Sequence, residues 1–367
     1  MSLHGQERFN YILQLRGLAA LTVLVFHHCH FFWFDQSFCS QLTQHQPIIQ
    51  APKIATILAS LPINFGDFGV ALFFLITGFL MPLVAKQKTR KQFMIRRIKR
   101  IYPPYLVSLL LVIFLGYCYA KYQGKPYPWS YDHMLFSLFM IRDIGQYAFI
   151  DGIVWTLEIE LKFYLLCMLA LPWLSKKPVQ FIALIIGLSA LSLAVSHLKL
   201  LILGQYGVHL INLSAKTMQL ITFIGLGAVL SYWHQKRLSL PTLIIASAML
   251  ASLYYCHGFN RNIEYQEVIS YALALIFFTG SYLARHTFSE CGILAYIGKM
   301  SYSLYLVHGV PGFFILYGLV DYGAGIAIAV ALIYSIVAAV SFYWFFEKPL
   351  LKQLSPTLTD NTDTQHS

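Results

Sequence analysis

Charge is scarce in this sequence: Asp, Glu, Lys and Arg supply 11% of its 367 residues, while 58% are hydrophobic. A soluble chain of this length needs more charge to cover its surface, so a soluble globular protein is excluded. The mean hydropathy of +0.63 points the same way. Alternating apolar and polar residues are missing as well; the apolar runs are continuous, which argues against a transmembrane barrel. The six cysteines (Cys29, Cys39, Cys118, Cys167, Cys256 and Cys291) form no CxxC pair and no metal-ligand spacing. Most lie in or beside apolar runs as small hydrophobes, so no metal is expected and no redox compartment is indicated. There is no internal repeat. No small-residue cleavage site follows the first apolar run, which reads as a retained span rather than a signal peptide.

What remains is an all-α, polytopic transmembrane helical bundle. Apolar runs predict spans near residues 12–32, 68–85, 102–120, 153–174, 178–196, 217–234, 239–257, 265–284, 301–319 and 324–346, about ten in all. The formal charge of +11 does not indicate nucleic acid, because the basic residues fall between the spans. With both termini in the cytoplasm, the inside segments hold 17 Lys and Arg and the outside ones 7; Arg16 and Lys162 lie within spans. That inside excess fixes the expected orientation. Two outer segments are long, residues 33–67 and 121–152. The short apolar piece Met134–Ile141 in the second is too brief to span, and is either re-entrant or interfacial. Residues 353–367 are polar and expected to be a disordered tail.

The first span carries Arg16 near its start and His27 near its end, eleven positions apart. On a helix that is about 16 Å on nearly the same face. An ionisable group inside a span costs about 2.5–3.5 kcal/mol, so it normally faces a polar cavity or a partner. Snorkelling to the headgroups is the competing reading for Arg16. The loop before the third expected span contains Arg97 and Arg100, spaced i, i+3 at the membrane border, with Pro103 at the expected helix start. Arginine suits bidentate phosphate binding, so a cytoplasmic donor bearing several phosphates can dock there.

The stretch VWTLEIELKFYL opens the fourth span with Glu158, Glu160 and Lys162. Glu158 and Lys162 stand at i, i+4 and predict a structural ion pair. Glu160 lies about 12 Å below the outer end of its span, a depth similar to that of His27. A His27–Glu160 contact is therefore allowed, and a carboxylate there would orient the imidazole as a general base. GKMSYSLYLVH adds Ser301, Tyr302, Tyr305 and His308 as a polar stripe; interhelical bonding is expected of Ser301 and Tyr302, and His308 is a second buried imidazole. Gly78 in FFLITGFLMP offers close helix packing, and Glu347 closes the last span.

Taken together, these stretches resemble the acyltransferase-3 family of integral-membrane acyltransferases. LRGLAALTVLVFHH is similar to its first-helix signature, an Arg and a His separated by ten residues, here Arg16 and His27. FFLITGFL is similar to FFxISGFL, RRIKRIYPPY carries the Arg-x-x-Arg motif on Arg97 and Arg100, and FFEKP resembles the terminal EKP. WTLEIELKFYL resembles WSLxxExxFYL, with Trp155, Glu160, Phe163 and Tyr164 on the matching positions; GKMSYSLYLVH resembles GxxSYxLYLxH. Thr77 and Thr156 stand where Ser is commoner. The signals run in family order from residue 11 to about 352, a single domain over 1–352.

The resemblance implies an O-acyltransferase, most often an O-acetyltransferase, drawing on cytoplasmic acyl-CoA and needing no metal. The implied acceptor is a hydroxyl of a glycan or lipid-linked glycan in the bacterial cell envelope (lipopolysaccharide, capsule or exopolysaccharide), on the outer side of the inner membrane. Arg16, Arg97 and Arg100 would hold the donor, with His27 and Glu160 catalytic and Trp155, Tyr164, Ser301, Tyr302 and His308 as further site candidates. Membrane lipid is a partner and nucleic acid is not. The same chemistry on peptidoglycan, a glucan or a small molecule stays open, as does a transporter without acyl transfer.

Overall fold

A computed structural model describes residues 3–45, 50–85, 89–198, 204–286 and 291–354. Among them every regular element is helical. Seven helices are long and apolar enough to cross a membrane, and an eighth span is formed by Ser301–Val307 with Val310–Tyr322, bent by 53°. Two of the ten expected spans fall outside this set. Val154–Leu169 has only 16 residues, and Tyr265–Leu283 opens on the polar pair Gln266 and Glu267.

Helix Phe65–Val84 is the centre of the bundle, and glycines explain why. A side chain on Gly78 would strike the carbonyl oxygen of Ile224, and one on Gly227 would strike that of Leu75. The helices Phe65–Val84 and Gln205–His234 thus cross with backbone against backbone. Small residues serve this purpose in a membrane, where lipid is as apolar as leucine and only close packing distinguishes protein from solvent. Gly69 brings the first helix equally near, against the Ala19 carbonyl and Thr22. A second reciprocal crossing, Gly17 against Leu294 and Gly298 against Leu13, seats the first helix on Gly292–Lys299.

Several boundaries differ from those expected. Pro103 does not start its helix: Arg90–Tyr122 begins after a capping box formed by Thr89 and Gln92, and carries Pro103 and Pro104 inside it. Those prolines have no N–H to give to the carbonyls of Lys99 and Arg100, which frees acceptors beside the two arginines. Helix Gln205–His234 starts twelve residues before the expected span at 217, so Lys216 is a helical residue and not part of a loop. Gln353 and Leu354 end the last helix; residues 355–367 lie outside the described residues, as do 86–88 and 46–49.

The short helix Tyr131–Leu138 folds back into the bundle. The hydroxyls of Tyr105 and Tyr102 donate to the carbonyls of Ser137 (2.5 Å) and Leu138 (2.7 Å). Tyr105 precedes the end of its helix at Tyr122 by seventeen residues, about 26 Å. The chain after Tyr122 therefore returns alongside its own helix before rising again to residue 153. Tyr131–Leu138 satisfies its own backbone as a helix, and the two tyrosine hydroxyls take up carbonyls at its end.

Candidate active site

Two cavities lie on either side of Tyr305 and Val70, which line both. The first, about 820 Å³, gathers Arg16, Arg97, Arg100, Glu160, Tyr164 and Tyr302. These residues come from four separate helices, so only the bundle brings them together. Arg16 Nε donates to Ser301 Oγ at 3.2 Å, which holds the guanidinium inside the bundle instead of letting it snorkel. Arg97 stacks its guanidinium 5.9 Å from the centroid of Tyr164, and its buried Nε has no hydrogen-bond partner. Tyr302 donates to the Ile101 carbonyl at 2.7 Å, tying Ser301–Val307 to the arginine-bearing helix. Three guanidinium groups around one cavity, two of them with free donors, make a site for an anion with several oxygens.

The carboxylate of Glu160 belongs to this cavity. Its Oε1 accepts from Thr77 at 3.2 Å and from the Tyr164 hydroxyl. Glu347 is buried and accepts from the backbone N–H of Ser303 at 3.2 Å and from its hydroxyl at 2.5 Å. It thereby satisfies a backbone N–H in the first turn of Ser301–Val307, where the helix dipole favours a negative charge. Arg100, Glu160 and Glu347 are the charged neighbours that act on Arg16.

The second cavity, about 1050 Å³, holds His27, Asp151, Trp155 and Lys216. The first helix loosens into a π-helical turn over His27–Phe31, a feature common at functional sites. Its backbone is supported by Trp33 Nε1, which donates to the His28 carbonyl at 2.9 Å. His27 Nδ1 lies 2.9 Å from the Val23 carbonyl and 3.1 Å from His308 Nε2. His308 Nδ1 lies 3.0 and 2.9 Å from the carbonyls of Leu304 and Tyr305. Carbonyl oxygens only accept, so both Nδ1 atoms carry the hydrogen. His308 Nε2 is then an acceptor for His27, and the lone pair of His27 Nε2 is free for a proton. The bend at His308–Gly309 puts the second ring in place.

The structure separates one pair that the sequence brings together. No hydrogen bond joins His27 to Glu160; the two line different cavities, and His308 takes the place beside His27. Equal depth along two spans says nothing of rotation, and Glu160 faces the arginines. The Glu158–Lys162 pair is also replaced. Glu158 bonds Arg142 at 2.8 Å and Lys162 pairs with Asp143, because the folded-back loop presents Arg142 and Asp143 to this helix. Trp155 is on the His27 side, 5.1 Å from Lys216 Nζ, while Tyr164, Ser301 and Tyr302 are on the arginine side.

Asp151 and Lys216 are the site neighbours that carry no motif, whereas Glu347 stands in the stretch matched to the terminal EKP. Asp151 is an ordinary loop acid in sequence and Lys216 an ordinary loop base. Only Glu347, inside FFEKP, carries a local signal. Among the described residues no group of three or more His, Cys, Asp or Glu is placed to hold a metal.

Comparison with known proteins gives one result. The family described as an acyltransferase domain matches residues 9–346, nearly the whole chain. No curated protein and no solved structure matches.

Proposed function

Since the chain belongs to the acyltransferase-3 family and is an integral-membrane acyltransferase, we propose that it carries an acetyl group from cytoplasmic acetyl-CoA to a hydroxyl of a cell-envelope glycan at the outer face of the bacterial inner membrane. The single observation that carries this reading is the pair of cavities that meet at Tyr305 and Val70, one ringed by arginines and one holding a histidine with a free lone pair. Arg97, Arg100 and Arg16 hold the phosphates of the donor, the charge-assisted contacts for which guanidinium groups are suited. The pantetheine arm runs past Tyr305 and delivers the thioester to His27. Glu160, through Thr77 and Tyr164, keeps the arginine cavity in shape.

Transfer then requires one proton movement. His27 Nε2 takes the proton of the acceptor hydroxyl as its oxygen bonds to the thioester carbon. The C–S bond breaks, and the imidazolium returns the proton to the departing thiolate. His308 Nε2 accepts from His27 Nδ1–H and holds the ring in the tautomer that acts as a base. The excess of Lys and Arg in the segments on the Arg16 side supports a cytoplasmic donor side.

The test uses membranes holding the wild type, His27→Ala or Arg97→Ala at matched expression, supplied with labelled acetyl-CoA. The reading expects label on an acceptor with the wild type, a loss of about 100-fold or more for His27→Ala, and a raised donor KM for Arg97→Ala. Full activity of both variants, or no transfer by the wild type, would overturn it.

A further inference from the structure

We infer that Asp151 holds the acceptor hydroxyl in the His27 cavity and that this selects an uncharged sugar over an anionic one. The inference rests on the acyl-transfer reading above and concerns the side of the site opposite the arginines. Asp151 is 4% exposed and lines the same cavity as His27. One carboxylate oxygen, Oδ1, accepts weakly from the Ile153 backbone N–H at 3.4 Å. The other makes no hydrogen bond to any described residue. That oxygen keeps some exposure and Asp151 lines the cavity, so a donor from outside the protein can reach it and bond it. A sugar hydroxyl is such a donor.

The surroundings place that donor near the reacting atoms. Asp151 Oδ1 lies 3.3 Å from where a side chain on Gly309 would begin, and Gly309 follows His308, the ring that faces His27. The absence of a side chain at Gly309 keeps the space between the carboxylate and the histidine pair open. The other cavity acids are otherwise occupied or more exposed. Asp35 Oδ1 accepts from Phe38 N at 3.3 Å and caps a helix, while Asp67 is half-buried. Trp155 offers an indole face near the Lys216 ammonium, and Phe26, Phe31 and Phe149 add apolar walls. Carboxylates paired with aromatic faces suit a ring that is polar at its edge and apolar on its faces. Three carboxyl groups against one ammonium disfavour a second carboxylate in the same space.

The experiment uses the full chain in lipid nanodiscs with acetyl-CoA, and two acceptors of one ring shape: methyl β-glucopyranoside, which is neutral, and methyl β-glucuronide, which is anionic. The wild type is expected to acetylate the glucoside at the lower KM. Asp151→Asn is expected to raise the glucoside KM about tenfold or more, to leave the acetyl-CoA KM unchanged, and to narrow the preference against the glucuronide. A merely structural role would move both KM values or the melting temperature. An unchanged glucoside KM in Asp151→Asn, a wild-type preference for the glucuronide, or acetylation of neither sugar would each overturn the inference. Failure of the underlying reading shows separately, as membranes that transfer no label from acetyl-CoA to any acceptor.

Discussion

His308 Nε2 lies 3.1 Å from Nδ1 of His27, across 281 residues of sequence, and the two imidazole planes meet at 64°. In the proposed mechanism a second imidazole, rather than a carboxylate, orients the His27 ring, and it brings no charge into the bundle, where an unpaired charge is costly.

Removing that partner tests its role. His308→Ala leaves His27 Nδ1–H with the Val23 carbonyl alone. The turnover number is expected to fall about tenfold with the donor KM unchanged, as measured by steady-state acetyl transfer. An unaltered kcat would show that the two rings merely pack.

The arginine cavity predicts the opposite kinetic split. Arg97→Ala is expected to raise the acetyl-CoA KM by about 10- to 100-fold, the effect of losing hydrogen bonds to a charged group. Arg97→Lys restores the charge without the planar fork that stacks on Tyr164, and should recover only part of the loss. Titration of acetyl-CoA at saturating acceptor reads both.

Arg142 and Glu158 form a buried pair, with side chains 10% and 1% exposed. Arg142→Ala strands the Glu158 carboxylate and should cost about 3–5 kcal/mol. The double replacement Arg142→Met with Glu158→Leu is expected to regain most of it. Thermal unfolding in detergent distinguishes the two, and equal destabilisation by both would refute the account.

The crossing at Gly78 makes a prediction about packing alone. Gly78→Ala pushes a methyl group into the Ile224 carbonyl and should destabilise by about 1–3 kcal/mol. Gly187→Ala has nothing within 4 Å and serves as the control. It is expected to leave the melting temperature unchanged or slightly raised, since alanine is the better helix former. The same melting temperature for both variants would contradict the backbone crossing.

Much of the fold was legible because a bilayer imposes simple rules. Continuous apolar runs mean helices, and the helices of this chain follow them. Span counting was less secure where a helix was short or opened on polar residues, as at Val154–Leu169 and Tyr265–Leu283. The helix start at Arg90 was hidden by Pro103, which reads as a boundary, whereas the capping residues Thr89 and Gln92 lie well upstream.

By itself, then, the sequence determined that this chain is a helical membrane protein, and it singled out Arg16, His27, Arg97, Arg100, Glu160 and His308. It did so because each is a costly residue within or beside an apolar helix. Which of them meet was decided only by the tertiary structure. Helix spacing gives a side chain's height along its own axis; how each helix is turned about that axis comes from packing, here from the glycine crossings at Gly17, Gly78, Gly227 and Gly298. Those crossings and the folded-back loop turn Glu160 towards the arginines, set His308 beside His27, and bring Asp151 to a cavity that nothing in its local sequence announces.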